Sequence, residues 1–125
     1  MKKKYYKIAF YIWVGVVFTL TSIPKLQTPI NDTLNIDKLA HFTVYMIFAY
    51  LFMKMFSQDQ YIQKLKLLSI LAVLVPIFDE LHQIPIQGRC FSYYDILADF
   101  LGFLTVIIYF KIKLKRSKLI FNSFK

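Results

Sequence analysis

Four stretches of the chain are apolar nearly all round, with short polar or charged segments between them. The first, residues 8–23, carries no charge and stops at Pro24, with Tyr5, Tyr6, Tyr11 and Trp13 toward its start as interfacial aromatics. The second, 39–56, is broken by His41, Thr43 and Lys54, a lysine able to snorkel to an interface. The third, 65–81, is apolar apart from Lys66 and Ser69 until it meets Asp79 and Glu80, so it spans only with that acidic end at an interface. The fourth, 96–112, has Asp99 near one end and Lys111 near the other. Each approaches the ~17–20 residues that a helix rising 1.5 Å per residue needs to cross about 30 Å of hydrocarbon. The pattern predicts an all-α membrane protein: a compact bundle of four transmembrane helices in one domain over 1–125, followed by a basic tail, 113–125.

Two other readings of this pattern fit less well. A soluble four-helix bundle needs a polar face on every helix, and the first and fourth stretches lack one. A cleaved signal peptide needs a small-x-small site, which Ser22, Ile23 and Pro24 do not provide, so the first stretch is expected to stay as a helix.

Composition agrees with lipid as the solvent. Of 125 residues, 58% are hydrophobic and 18% aromatic, with only 3 glycines and 4 prolines to interrupt the helices. The formal charge of +9 does not point to nucleic acid, because the basic residues sit beside apolar runs rather than on a separate polar domain. Lysine and arginine also set the orientation. Thirteen of the sixteen fall at the N-terminus, in the middle connection and in the tail, leaving Lys25, Lys38 and Arg89 on the other side. By the positive-inside rule both termini are cytoplasmic, and the tail is expected to rest on anionic lipid with Phe121 and Phe124 inserted. The lone Cys90 excludes an intrachain disulfide and a thiolate metal site.

The acidic residues show the opposite distribution. Asp32, Asp37, Asp79, Glu80, Asp95 and Asp99 fall in or beside the two outer connections, leaving only Asp59 on the cytoplasmic side. Asp37 and His41, Asp79 and Gln83, and Asp95 and Asp99 are each four apart, so each pair shares a helix face. Ionisable groups at the rim of a membrane are costly unless they turn inward and pair, and Lys38 and Arg89 are the natural partners. Plainer roles stand beside functional ones. Asp37 reads as a helix cap as readily as a ligand group. His41 reads as hydrogen-bonded to Tyr45 or Asp37, or as a catalytic or metal-binding group. Arg89, after Gly88, reads as an ion-pair partner of Glu80 or Asp95, or as a fork for a carboxylate or phosphate. Gly102 reads as a point of close helix approach. His41, His82, Glu80 and Asp79 lack the spacing of a known zinc motif, so no metal or other cofactor is expected.

These residues also carry a resemblance. Asp37, Lys38, His41, Phe42 and Tyr45 (D-K-x-x-H-F-x-x-Y), then Asp79, Glu80 and Gln83 (D-E-x-x-Q), then Gly88, Arg89, Ser92, Asp95 and Gly102, resemble the VanZ-like family over roughly residues 20–108. The resemblance implies a four-span integral membrane protein of a family named for a glycopeptide-resistance component that raises tolerance to teicoplanin. It brings no established reaction. Family members commonly carry asparagine where this chain has Asp99, so a charge is added here. The leading expectation is an outer-face pocket of Asp37, Lys38, His41, Tyr45, Asp79, Glu80, Gln83, Arg89, Ser92, Asp95 and Asp99 that binds an envelope lipid or peptidoglycan precursor. The alternatives are a membrane enzyme using Glu80 or Asp95 as acid or base, and a structural cluster that only locks helix ends. A transporter ranks below these, since the spans show no internal repeat and no mid-depth charge. Membrane lipids are the expected partners, and oligomeric state is not fixed by the sequence.

Overall fold

The computed structural model describes residues 2–24 and 34–123, with side chains placed over 3–24 and 36–117. Lys25, Asp32 and Phe124 lie outside the described residues, as does the side chain of Phe121. Four helices make up the described chain: α1 (Lys2–Ser22), α2 (Leu34–Lys54), α3 (Tyr61–Gln83) and α4 (Tyr93–Ser123). Helix is the default wherever backbone groups must satisfy one another in an apolar solvent, and the breaks fall at polar or helix-breaking residues. Pro24 follows the end of α1. A one-turn 3-10 segment, Gln58–Gln60, joins α2 to α3, and the Gln60 side chain accepts from the Ser57 backbone at 3.2 Å.

The helices run up and down, which sorts charge to the two ends. Lys54 at the end of α2 lies over the Tyr6 ring near the start of α1, 5.0 Å from its centroid, and Gln58 donates to Ser117 on α4 at 2.9 Å. This end carries the lysines. At the other end Arg89, between α3 and α4, reaches the carbonyls closing α1. Lys38 of α2 there pairs with Asp95 of α4.

An aromatic core fills the space between. Phe10, Phe48 and Phe103 interlock edge to face at 5.0 and 5.6 Å, and Tyr45 stacks on Phe103 at 5.7 Å. α2 and α4 pack most extensively, and their seam is lined by small residues. Ala49 is wholly buried, and a Cβ at Gly102 would lie 2.9 Å from the Met46 backbone nitrogen and closer still to the Phe42 carbonyl oxygen. The expected role of Gly102 in close approach is what this geometry shows.

Polarity runs opposite to that of a water-soluble fold. Phe78 is 68% exposed, Ile12 62% and Leu97 52%, whereas Glu80 and Asp99 are wholly buried. So large an apolar exterior needs an apolar solvent or partner. Two helical segments, Ile36–Lys54 and Gln58–Gln83, are long and apolar enough to cross a membrane. α1 carries Lys3, Lys4 and Lys7 in its first two turns, and the apolar part of α4 holds Asp95, Asp99 and Lys111.

Three details refine the sequence expectations. α4 runs on through the basic segment that begins at residue 113 and continues to Ser123, because no glycine or proline follows Gly102 and Lys, Leu and Arg sustain helix. Trp13, expected as an interfacial aromatic, turns toward α2: its indole N–H donates to the Val44 carbonyl at 3.1 Å and fastens α1 to α2. α2 begins at Leu34, so Asp37 sits inside the first turn, complementing the helix dipole rather than capping it.

Candidate functional site

The polar end gathers side chains from every helix. From α2 come Asp37, Lys38, His41 and Tyr45, all facing the bundle because residues three and four apart share a face. From α3 come Asp79, Glu80 and Gln83; from the following loop, Arg89 and Ser92; from α4, Asp95 and Asp99.

Pairing across helices departs from what spacing alone suggests. His41 bonds neither Tyr45 nor Asp37; its Nδ1 is 2.9 Å from Asp99 Oδ1 on α4. Lys38, not Arg89, takes Asp95, and its Nζ also donates to Asp37 at 3.3 Å. Arg89 pairs with no carboxylate among the described residues. Nη1 donates to Gln83 Oε1 at 3.1 Å and Nη2 to the Leu20 and Ile23 carbonyls at 2.9 and 3.3 Å. The reason is positional: the last carbonyls of a helix have no intrahelical donor, and Arg89 supplies one for α1. Gly88, with φ +77°, holds the left-handed turn that delivers Arg89 there. Gln83 in turn donates to Asp79 Oδ2 at 3.1 Å, so Arg89, Gln83 and Asp79 form one chain.

Glu80 has a distinct task. Ser92 is the residue before α4, and its Oγ accepts from the Asp95 N–H at 3.3 Å as an N-cap does. In a capping box the third helical residue would return a bond to the cap's own N–H. Here the Ser92 N–H instead donates to Glu80 Oε2 on α3, at 2.8 Å. Replacing Glu80 with alanine is therefore expected to cost about 1–3 kcal/mol, the penalty for a helix-end donor left unsatisfied. Glu80→Gln, which keeps an acceptor, should cost less. Thermal unfolding in detergent, followed by the fluorescence of the single Trp13, measures both; an unchanged midpoint for the alanine variant would rule out the capping role.

Two cavities flank α1. One, of about 230 Å³, has Asp37, His41, Tyr45, Asp79 and Arg89 among its lining, with Val17, Leu20 and Val44 from the apolar helix faces. The other, about 320 Å³, shares Val17, Thr21, Tyr45 and Asp79 with the first and extends along Val14, Phe18, Phe48, Val75 and Phe78. α1 is thus a wall of the site, a role that no residue pattern within it announces.

The sequence reading also missed a pair. Ser22 Oγ lies 3.0 Å from His82 Nε2, and the His82 ring stacks on Phe18 at 4.9 Å. This removes His82 from the group with His41, Glu80 and Asp79. Ser22 is no activated nucleophile, since its hydroxyl donates to the Phe18 carbonyl at 2.6 Å. Cys90, next to Arg89 in the chain, is exposed.

No curated protein and no solved structure matches the chain. One family model does, that of VanZ/LLP1, over residues 3–114, which is wider than the stretch the motifs alone delimit. The matched region takes in α1, whose end Arg89 holds, along with the whole polar cluster, and the chain accordingly belongs to the VanZ/LLP1 family, whose proteins are membrane proteins.

Proposed function

We propose that residues 1–125 form a single four-span domain of the cell membrane, both termini cytoplasmic, that binds an envelope lipid or peptidoglycan precursor at its outer face. The observation that carries this reading is the amphipathic cleft beside α1. Its polar part offers Asp37, His41, Asp79 and Arg89, and its continuation offers Val14, Phe18, Phe48, Val75 and Phe78. A lipid needs both, a hydrogen-bonding site for its head group and an apolar channel for its chain. The sidedness rests on the lysine and arginine distribution, which puts the polar end outside. Carboxylates predominate there and Arg89 is engaged with α1, so the head group best suited carries hydroxyl or ammonium donors. Binding ranks above catalysis because, among the described residues, the hydroxyl that stands beside a histidine, Ser22 next to His82, already donates to the Phe18 carbonyl.

The test is teicoplanin susceptibility of a Gram-positive host expressing the chain, with membrane levels quantified by an epitope tag. Asp37→Asn and Leu20→Trp, which alter the head-group site and fill the cleft from its exposed wall, are expected to accumulate normally and lose protection. Arg89→Ala is a poorer probe, because it releases the end of α1 and should lower abundance as well. Wild-type protection retained by both cleft variants at equal levels would remove the cleft from the function.

A further inference from the structure

We propose that His41, Asp79 and Asp99 form a binding site for one divalent cation, Mn²⁺ or Zn²⁺, at the polar end of the bundle. The site shares His41 and Asp79 with the cleft proposed above, and its test reads binding of the ion alone. One ligand atom from each of these residues lies within 4.8 Å of the other two, and the three come from α2, α3 and α4. Around one ion, ligand atoms stand roughly 3.0–3.4 Å apart when each bond is ~2.1 Å, so small side-chain movements close the set.

A second observation points to a ligand rather than to a self-contained cluster. Asp99 is wholly buried; one oxygen faces His41, and the other, Oδ2, has no hydrogen-bond partner among the described residues. A buried carboxylate oxygen left bare is costly in a membrane protein's interior, and a metal ion is a partner of the right charge.

Charge balance makes the same demand. Among the described residues at this end, Asp37, Asp79, Glu80, Asp95 and Asp99 bring five carboxylates, and Lys38 and Arg89 bring two fixed cations. Lys38 is spent on Asp37 and Asp95. Asp37, His41 and Asp95 also sit close enough to share an ion, but the Lys38 ammonium already serves that side. Among the described residues, Asp79 and Asp99 have no comparable lysine. Gln83 holds Asp79 by one oxygen, as an outer-shell group holds a metal-binding carboxylate in orientation. One imidazole with two carboxylates favours Mn²⁺ or Zn²⁺ over Mg²⁺ and Ca²⁺, which prefer all-oxygen surroundings. His41 and Asp79 also line the 230 Å³ cavity, which leaves room for water or a ligand group on the ion.

The experiment uses the full chain in lipid nanodiscs, stripped with chelator and titrated separately with Mn²⁺ and Zn²⁺ by calorimetry, with Mn²⁺ also followed by electron paramagnetic resonance. One equivalent of at least one ion is expected to bind. Asp99→Asn retains the shape and the acceptor facing His41, and Asp79→Asn retains an acceptor for Gln83, so both should fold. Each should weaken binding at least tenfold, and Asp59→Asn, at the opposite end, should leave it unchanged. Trp13 fluorescence checks that the variants are folded. No stoichiometric binding of either ion by the wild type, or equal binding by Asp99→Asn, would overturn the site.

Discussion

Replacing His41 with alanine is expected to lower the stability of the folded chain by about 3 kcal/mol, the upper end of the cost of leaving a buried carboxylate acceptor unpaired. Asp99 has no exposed surface, and His41 Nδ1 is the group that meets its Oδ1. Without the imidazole both carboxylate oxygens are bare in the interior. The penalty belongs to Asp99, which gives the prediction a second half. Adding Asp99→Ala to the His41→Ala variant should recover part of the loss, so the two substitutions together cost less than their sum. Thermal unfolding in detergent after chelation, read by Trp13 fluorescence, measures the cycle without any contribution from a bound ion. A loss below about 1 kcal/mol for His41→Ala would mean that Asp99 does not depend on this pair.

Gly102→Ala is expected to cost about 3 kcal/mol or more, at the upper end of what overpacking does. The added carbon would meet the Phe42 carbonyl oxygen and the Met46 backbone nitrogen, and both belong to helix backbone that cannot turn aside. α2 and α4 would have to move apart along their tightest seam, disturbing Lys38–Asp95 and His41–Asp99 together. Gly15→Ala is the matched control. Nothing lies within 4 Å of a Cβ there, so the same change in α1 should be neutral or stabilise by about 0.5–1 kcal/mol through helix propensity alone. Parallel unfolding curves separate the two, and equal effects would remove close packing as the reason for Gly102.

The helices and the gathering of polar groups at one end were legible in the sequence because each depends on local pattern. Apolar runs interrupted at Pro24 and at the polar connections mark helices, and four-residue spacing put Asp79 beside Gln83, which do bond. Which face meets which neighbour depends on how each helix is rotated in the bundle, and no spacing within one helix records that. Hence spacing pairs His41 with its own helix, whereas the fold pairs it with Asp99, and charge pairs Arg89 with carboxylates, whereas the fold turns it to the carbonyls of α1. Backbone acceptors are invisible to a search for opposite charges. The part of α1 in the site was hidden for a related reason: Val14, Val17 and Phe18 look the same whether they face lipid or a cleft.

The bond from Ser92 to Glu80 bears on how the chain is made. A helix that carries its own cap can form as soon as its first turns emerge, but the cap of α4 is completed by a residue twelve positions earlier, on α3. On the four-span topology proposed above, α3 and α4 therefore gain by entering the bilayer as a hairpin, with the turn around Gly88 crossing as a closed unit instead of as open backbone. In a translation-coupled insertion assay, a chain halted just after α3 would hold Glu80 at the membrane with its backbone partner still inside the ribosome. The hairpin, rather than the single helix, is then the natural step of biogenesis for this half of the molecule.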